Sequence, residues 1–429
     1  MNNFLEHPLI KQSISHGIKF GLNTISLILQ AAGNPQHKFQ TIHIAGTNGK
    51  GSTSKMLAAC LQENNYKTAL FTSPHILKLN ERFKVDNKNI SDNELHNLLN
   101  HIQSILKTLK ALKKIESITF FEICTACAFM FFAKEEVDIA VIETGMGGRL
   151  DSTNVINSSN VIITNINYDH ENYLGSTLKE ISLEKAGIIH PGSNVILGSM
   201  PDDIADIIAQ SKSDSCFYKQ GKDFAITKDK ISRELLYSSR NGFLDNFLLT
   251  LNLKGNFQAK NCSLALKTLE NMKNHGYSFD KTLIKKALNK ITWPGRFDVI
   301  SKSPLIIFDA AHNPNAIEQL LLTLKNLYPD KRFTVIAGFM KDKNYTPMIE
   351  KMTNSAKNLI LIPLLTNRSL SLKDLNLLSK KNKRIKIETN FQDAINHLTH
   401  SKKETNIVVC GSFHILEQAY QWTNRNLHN

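Results

Sequence analysis

Short apolar runs alternate with longer amphipathic stretches through the first half of the chain. A short run that is apolar throughout predicts a buried strand, and apolar residues that recur with helical spacing predict a helix. The predicted strands are 42–45, 67–71, 138–143 and 160–164, and the predicted helices are 16–30, 52–64, 91–112 and 120–133. Strands that alternate with helices indicate a parallel sheet with its functional residues at the carboxyl ends of the strands.

The pattern changes in the second half of the chain. Residues 216–253 carry short β-like segments, residues 256–274 are helical, and a Pro-Gly pair at 294–295 marks a boundary. A strand at 305–308 and a helix at 315–327 are then predicted. Further strands are predicted at 334–338, 358–362 and 407–410. We expect an α/β fold of two domains. Residues 1–293 would hold a parallel sheet with a small β-rich portion, and residues 297–429 would form a Rossmann-like α/β domain.

The chain has 429 residues and a net charge of +14. This charge is either spread over solvated faces or creates a field that favours anionic ligands. Nucleic-acid binding requires a concentrated basic patch with aromatic residues. The densest basic run, at 380–386, is short, and we interpret it as a solvated loop. We therefore expect no nucleic-acid partner.

Residues 118–133 form the most apolar segment, but they include Glu122 and fall short of the roughly 20 residues that a membrane span requires. Residues 1–10 lack the apolar core of a signal peptide. Cys124 and Cys127 have C-x-x-C spacing, yet their apolar neighbours favour buried thiols over a metal or redox pair. We expect a cytoplasmic protein without a membrane partner.

A glycine-rich turn follows the predicted strand 42–45 and opens the next helix. Glycines let backbone N–H groups converge on an anion, and the start of a helix adds unpaired donors. Lys50 supplies a cation for the terminal phosphates, and Ser52 supplies a hydroxyl. This turn predicts a P-loop ATPase-type domain that binds a nucleoside triphosphate. Only two residues separate Gly46 from Gly49, which is shorter than in the general P-loop.

Three other polar residues of this domain are candidates for the site: Glu143, His170 and Lys185. Glu143 ends an apolar strand and is either a Mg²⁺ ligand or a structural cap or salt bridge, and the glycines beside it favour the ligand. His170 either completes a metal site with Glu143 or is structural. Lys185 lies on a short helix, and its spacing alone predicts a surface lysine.

The second domain offers three further candidates. Arg296 follows the Pro-Gly pair, where an arginine can bind a phosphate. Asp309 follows a buried strand and either binds a ribose hydroxyl or caps the next helix. Ser412 follows the last strand and either binds a carboxylate or caps a helix.

Together these segments resemble the Mur ligase superfamily, and within it the folylpolyglutamate synthase/dihydrofolate synthase family. The resemblance spans nearly the whole chain and keeps the family's order. The matching segments are Ala-Gly-Thr-Asn-Gly-Lys-Gly-Ser at 45–52, Thr-Ser-Pro-His at 72–75, Phe-Glu at 121–122, Glu-Thr-Gly-Met-Gly-Gly-Arg-Leu-Asp at 143–151, Asp-His at 169–170, Glu-Lys-Ala-Gly at 184–187, Pro-Gly-Arg-Phe at 294–297, Asp-Ala-Ala-His-Asn-Pro at 309–314 and Gly-Ser-Phe-His at 411–414. Met146 stands where the family often has leucine, a swap that conserves volume.

The resemblance implies a role for each matching residue. The triphosphate would be held by Asn48, Gly49, Lys50, Gly51 and Ser52, and Mg²⁺ by Ser73, Glu143 and His170. Lys185 would be carbamylated and become a further metal ligand. ATP would also contact Asn261, Arg296 and Asp309. The pterin site would include Phe121, Glu122, Leu150, Asp151 and Ser152, and the incoming glutamate would meet His312 and Ser412.

The resemblance also implies a reaction. The γ-phosphoryl group of ATP would pass to a carboxylate, and the amine of L-glutamate would attack the resulting acyl phosphate. Closure of the C-terminal domain would position the amine and exclude water. The acceptors would be 7,8-dihydropteroate and reduced folates, and we expect a monomer. A ligase that only extends folates, and a nucleotide-binding switch protein without ligase activity, remain alternatives.

Overall fold

The structure is a computed structural model that describes residues 4–14, 17, 19–229, 232, 234–399 and 405–426. The chain divides into two units, the first being Met1–Asn252 with Ala259–Ile291 and the second Leu253–Gln258 with Thr292–Asn429. Each unit has its own large sheet and its own hydrophobic core. The α/β fold class that the sequence predicts is confirmed.

An eight-stranded sheet forms the centre of the first unit, in the order β4-β3-β2-β5-β1-β6-β7-β8. Six of these strands run parallel, while β3 and β4 pair antiparallel at one edge. The strands are β1 (Gln40–Ala45), β2 (Thr68–Phe71), β3 (Phe83–Val85), β4 (Lys88–Asn89), β5 (Ile139–Glu143), β6 (Asn160–Ile163), β7 (Asn194–Leu197) and β8 (Cys216–Lys219). Strands β5 and β6 are buried along their whole length and β1 is buried except at Gln40, as expected where helices cover both faces.

The helices that accompany this sheet begin with two short ones near the start of the chain. They are α1 (Pro8–Ile14), α2 (Asn23–Ala31), α3 (Lys50–Glu63), α4 (Asp92–Ala111), α5 (Phe120–Lys134), α6 (Glu171–Leu174), α7 (Leu178–Ala186) and α8 (Asp202–Ser211), with short 3-10 turns at Phe4–Glu6, Pro35–His37 and Leu79–Arg82. Helix α5 is almost entirely apolar and buried, which confirms the prediction of a buried helix. Among the described residues no helix is both long and apolar enough to cross a membrane.

A separate three-stranded antiparallel sheet follows in the first unit, made of β9 (Phe224–Lys228), β10 (Leu235–Ser239) and β11 (Phe247–Leu249). This is the predicted β-rich portion. Two helices come next, α9 (Asn256–Asn274) and α10 (Lys281–Lys290).

The second unit is built on a six-stranded sheet in the order β12-β13-β17-β14-β15-β16. Its strands are β12 (Asp298–Lys302), β13 (Leu305–Phe308), β14 (Phe333–Ala337), β15 (Asn358–Leu361), β16 (Ile385–Ile387) and β17 (Asn406–Cys410). All neighbours run parallel except β12, which pairs antiparallel with β13. The helices are α11 (Pro314–Leu327), α12 (Tyr345–Ser355), α13 (Leu372–Lys381), α14 (Phe391–Thr399) and α15 (Phe413–Asn426).

Two local predictions are wrong. The predicted helix 16–30 starts at His16, outside the described residues, and its described part becomes helical only at Asn23. Gly21, with a φ of 130°, interrupts helical geometry before that point. The basic run 380–386 is not a loop, because α13 extends to Lys381 and β16 begins at Ile385. Apolar Ile385 is buried in the sheet while the charges of Lys383, Arg384 and Lys386 remain exposed.

Candidate active site

The glycine-rich turn lies between β1 and α3, as predicted, although the helix begins at Lys50 rather than at Ser52. Gly49 precedes the helix with a φ of 85°, a conformation that favours glycine. The Lys50 ammonium donates hydrogen bonds to the Gly46 carbonyl (2.9 Å) and the Thr47 carbonyl (3.3 Å). Lys50 therefore folds back over its own loop, close to the backbone that would cradle a phosphate.

Lys185 also reaches this loop, and the prediction of a surface lysine from its spacing is wrong. It is 4% exposed, and its Nζ donates to the Gly46 carbonyl at 3.1 Å. Burial, and then repulsion by Lys50, lower the pKa of Lys185 to about 7, while Asp169 and Asp151 act in the opposite direction. A lysine with so low a pKa is substantially neutral near neutral pH and is thus a nucleophilic amine.

Residues after β6 hold the loop from its other side. Asn165 accepts a hydrogen bond from the Asn48 backbone through Oδ1 (2.9 Å), and Thr164 donates from Oγ1 to the Asn48 carbonyl (2.6 Å). Asn261 of α9 faces Gly49 so closely that a Cβ on that glycine would lie 2.4 Å from Asn261 Oδ1. Asn48 and Asn261, both predicted to bind ATP, therefore belong to one packed cluster.

Glu143 ends β5, is 4% exposed, and accepts a hydrogen bond from the Ser73 backbone N–H at 3.1 Å. Arg82 is a buried neighbour whose Nε donates to His75 Nδ1 at 2.9 Å. Burial lowers the pKa of Arg82, and the charges of Cys124 and Glu143 oppose that shift. The turn at 72–75 is therefore tied to Glu143 by its backbone and to Arg82 by its histidine.

His170 has a φ of 54° and precedes α6, with Nε2 lying 3.9 Å from Asp169 Oδ2. In the described part of the chain, no three His, Cys, Asp or Glu side chains cluster tightly enough to bind a metal ion alone. The predicted Mg²⁺ set contains only two such residues, Glu143 and His170. A buried carboxylate with a hydroxyl residue beside it supplies the oxygen chemistry that Mg²⁺ prefers, so the residues fit this ion.

Phe121, at the start of α5, lies across the loop that follows β5. A Cβ on Gly145 would lie 2.5 Å from the Phe121 ring, and that ring stacks on Phe71 with centroids 5.9 Å apart. Ser152 is buried and shares a 2.8 Å hydrogen bond with Thr125 one turn along α5. Phe121 and Ser152, both predicted to line the pterin site, are thus connected through α5 and this loop.

Other predicted pterin residues have structural contacts. Glu122 accepts hydrogen bonds from the Thr119 backbone and hydroxyl (both 2.8 Å), and its own backbone N–H donates to that hydroxyl (3.2 Å), so the two residues form the capping box of α5. Asp151 accepts from the Met146 backbone (2.8 Å) and from the Thr153 hydroxyl (2.6 Å). Leu150 is half-buried between Arg149 and Asp151. Both carboxylates therefore shape the surrounding backbone.

The segment 147–151 packs against the end of α7. A Cβ on Gly187 would lie 2.3 Å from Arg149 Cα, and one on Gly148 would lie 2.6 Å from the Lys185 carbonyl. The Arg149 backbone N–H donates to the Glu184 carbonyl at 2.7 Å. These close approaches explain why both segments are rich in glycine, and they bring the Asp151 loop next to Lys185.

In the second unit, predicted residues gather beyond β13 and β17, which are parallel neighbours. Asp309 is buried and accepts hydrogen bonds from the backbone of Phe297 and of Ala311, both at 2.8 Å. Burial raises the pKa of Asp309, whereas Arg296 and these hydrogen bonds oppose the rise. Asp309 therefore anchors the turn that carries Arg296.

The remaining residues of this cluster meet at Phe413. The Arg296 guanidinium lies over the Phe413 ring at 5.2 Å, and the His312 ring is 5.9 Å from it. His312 Nδ1 is 2.8 Å from the Ala310 carbonyl. Ser412 accepts a hydrogen bond from Ile415 N (3.2 Å) and caps α15, the alternative role considered for it.

Several residues of these clusters were missed by the sequence analysis. They are His43, Arg82, Thr153, Asn165 and, as an anionic neighbour of Lys185, Asp169. Arg82 stands between Glu81 and Phe83 in a largely polar segment, so nothing in the local pattern signals its burial. The contacts of the others join segments far apart in sequence and leave no local signal.

Comparison with known families agrees with this geometry. Residues 44–269 match the Mur ligase middle domain, and residues 295–413 match the glutamate ligase domain of Mur ligases. The chain belongs to the Mur ligase family of ATP-dependent ligases.

Within that family it belongs with the folylpolyglutamate synthases and dihydrofolate synthases. It is 32% identical to folylpolyglutamate synthase of Lacticaseibacillus casei, covering 92% of this chain and 93% of that protein. Dihydrofolate synthase/folylpolyglutamate synthase of Escherichia coli is 30% identical, with coverages of 93% and 90%. The structure of Mycobacterium tuberculosis folylpolyglutamate synthase complexed with ADP has a TM-score of 0.87 at 28% identity, with 98% of each chain covered.

Proposed function

We propose that this chain is an ATP-dependent amide ligase that adds L-glutamate to 7,8-dihydropteroate and to reduced folates. The observation that carries the proposal is the glycine-rich loop, where Lys50 and Lys185 both donate to the Gly46 carbonyl. The chain that holds this loop is related over most of its length to folylpolyglutamate and dihydrofolate synthases. Its two functional domains would be residues 1–293 and 297–429. Its solved relatives include an E. coli protein in complex with DHPP and ADP (TM-score 0.85).

The proposed chemistry begins at a carboxylate, which is a poor electrophile. The carboxylate oxygen attacks the γ-phosphorus of ATP, ADP leaves, and an acyl phosphate forms. The α-amine of L-glutamate then attacks the acyl carbon, phosphate leaves, and the amine loses a proton as the amide forms. Lys50 would stabilise the charge that develops on the phosphoryl oxygens, because its ammonium already lies at the loop.

Ser73, Glu143 and His170 are the residues proposed to hold Mg²⁺. The ion, when bound, would supply positive charge to the phosphate oxygens. Glu143 is suited to this role because it is an enclosed carboxylate fixed by the Ser73 backbone.

We propose that Lys185 carries a carbamate. Its neutral amine nitrogen would attack the carbon of CO₂ and lose a proton, which converts the amine into an anionic carbamate. The low pKa favours the reacting form, and burial next to Lys50 favours an anionic product over a second cation. In ¹³C-bicarbonate, the active Mg²⁺-loaded enzyme should show a carbamate NMR signal that Lys185→Met lacks. An active enzyme without that signal would refute the carbamate.

The substrate contacts are proposed from the same clusters. Asn48, Gly49, Gly51, Ser52 and Asn261 of the first unit would contact ATP, as would Arg296 and Asp309 of the second. Phe121, Glu122, Leu150, Asp151 and Ser152 would form the pterin site. His312 and Ser412 would meet glutamate, which an imidazole and a hydroxyl can bind through its carboxylates.

The setting of the reaction is also a proposal. We propose a cytoplasmic monomer that uses small molecules and binds neither nucleic acid nor membrane. All six cysteines, which lie within the described residues, are free thiols, and five of them are buried. Free thiols are typical of a reducing compartment.

ADP release with dihydropteroate, compared with tetrahydrofolate, tests the function. Glutamate-dependent ADP release with both acceptors is expected, and release with tetrahydrofolate alone would assign a synthase that only extends folates. Lys50→Ala should lower turnover by about a hundredfold or more, whereas Lys107→Ala, an exposed lysine on α4, should not. Hydrolysis of ATP that no pterin affects would favour a nucleotide switch instead.

A further inference from the structure

Three buried side chains link β1 to the loop that follows β5. His43 Nε2 lies 2.8 Å from Thr153 Oγ1, and Thr153 Oγ1 donates to Asp151 Oδ1 at 2.6 Å. The other oxygen of Asp151 accepts the Met146 backbone N–H at 2.8 Å. His43 and Thr153 are fully buried, and Asp151 is 6% exposed. The three form a continuous chain of direct hydrogen bonds.

The direction of this chain follows from the number of protons. The Thr153 hydroxyl has one proton and gives it to Asp151, so it must accept a hydrogen bond from His43. His43 is therefore protonated at Nε2. Its Nδ1 has no partner among the described residues, which leaves a bare lone pair there. Burial, and then repulsion by His190, lower the pKa of His43 to about 3, so the ring stays neutral and keeps this donor.

The hydrogen bonds of Asp151 reach Met146 and Thr153, whose neighbours in sequence contact predicted pterin residues or helix α5. Met146 adjoins Gly145, across which Phe121 lies, and Thr153 adjoins Ser152, which is bonded to Thr125 of α5. Asp151 thus closes the loop 145–152 onto itself, and His43 anchors that closure to the central strand β1. Removing the anchor would free the Thr153 hydroxyl to rotate and weaken the hold on Asp151.

We propose that His43 is a positioning residue that acts through Thr153 and Asp151 to hold the loop 145–152 in the shape that binds the pterin substrate. The inference rests on the proposed function, because it assigns that loop to the pterin site. His43 itself touches no reacting atom. Its effect should therefore appear in the use of pterin substrates and not in the binding of nucleotide.

Thr153 offers the sharpest test, since β1 stays untouched. Thr153→Val keeps the shape and removes the hydroxyl, whereas Thr153→Ser keeps the hydroxyl. We expect Thr153→Val to lower kcat/KM for dihydropteroate by about tenfold or more, with the KM for ATP unchanged. Thr153→Ser should retain most of the activity. If activity depended on packing of the Thr153 methyl group, Thr153→Ser would lose activity and Thr153→Val would keep it.

His43 is tested by two amide side chains of different reach. The amide nitrogen of glutamine is as many bonds from Cβ as Nε2 of histidine, whereas the amide nitrogen of asparagine is one bond closer. His43→Gln should therefore preserve the pterin KM better than His43→Asn. If the residues act as a unit, the double variant His43→Asn/Thr153→Val should be little worse than Thr153→Val alone.

The outcomes separate the two proposals. If the wild-type protein shows no pterin-dependent ADP release, the proposed function fails. If it is active and Thr153→Val matches it, or if Thr153→Val raises the KM for ATP as much as that for pterin, the positioning role is overturned. A folded Thr153→Val protein with a raised pterin KM and an unchanged KM for ATP supports it.

Discussion

Lys50 and Lys185 converge on one atom, the carbonyl oxygen of Gly46, at 2.9 and 3.1 Å. Two ammonium groups this close repel each other, and burial followed by this repulsion lowers the pKa of Lys185 to about 7. Lys50 is half-buried and keeps contact with the loop. In the proposed mechanism Lys50 would supply the cation for phosphate, and Lys185 would supply the neutral amine that is modified.

We expect Lys185→Met to stabilise the fold at low pH. The pKa of Lys185 is about 7 in the fold and near 10.5 in the unfolded chain. Below pH 7 the folded protein must bury a charged ammonium, so the wild type bears its full penalty there. Between pH 7 and about 10.5 the unfolded state binds more protons, and wild-type stability therefore rises with pH relative to the variant.

The measurement is the difference in melting temperature between Lys185→Met and wild type in CO₂-free buffers from pH 6 to about 10. That difference should be largest at pH 6 and shrink as the pH rises. The exposed Lys107→Met serves as the control and should show no such trend. A difference that is constant across this range would mean that Lys185 keeps an ordinary pKa.

Gly49→Ala should abolish nucleotide binding, because the new Cβ would lie 2.4 Å from Asn261 Oδ1 at a φ of 85°. Gly192→Ala is a matched control with a φ of 79° and nothing within 4 Å. It bears the same backbone strain, about 1 kcal/mol, without the clash. Calorimetry with an ATP analogue should show lost binding for Gly49→Ala alone. Equal binding by both variants would show that the contact with Asn261 does not shape the loop.

The sequence pattern predicted the helices and strands whose apolar residues repeat regularly or run without interruption. Helix α9 and strand β13 have their predicted bounds, because each is a periodic or wholly apolar run flanked by turn residues. The glycine-rich turn was found because φ values such as that of Gly49 require particular residues. The hairpin β3–β4 was missed, since strands of three and two residues are too short to show a period.

The candidate site could not be assembled from spacing alone. Lys185 contacts a carbonyl 139 residues away, and Asn48 contacts a side chain 117 residues away. Burial of a lysine by such contacts leaves no mark on its own helix, so its spacing indicated a surface position. The family resemblance named Lys185 as a site residue, and only the fold shows its enclosure and its lowered pKa.

Phe121→Ala should raise the KM for dihydropteroate and for tetrahydrofolate by about tenfold, since a flat ring that stacks on a pterin is worth roughly 1 kcal/mol or more. The KM for ATP should not change. Phe131→Ala on the same helix is the control, because Phe131 is buried in the core and should affect the melting temperature rather than KM. A pterin KM that rises equally in both variants would point to a general loosening of α5.

Asp309→Asn should destabilise the second unit and weaken ATP binding together. Each carboxylate oxygen of Asp309 accepts one backbone N–H, from Phe297 and from Ala311, and the side-chain NH₂ of asparagine cannot accept either. One buried donor is then left unpaired, which costs about 1–3 kcal/mol. Thermal unfolding and calorimetry with an ATP analogue measure the two effects, with the exposed Asp330→Asn as the control. If Asp309→Asn loses stability but binds nucleotide normally, Asp309 serves the turn at 295–297 and not the ligand.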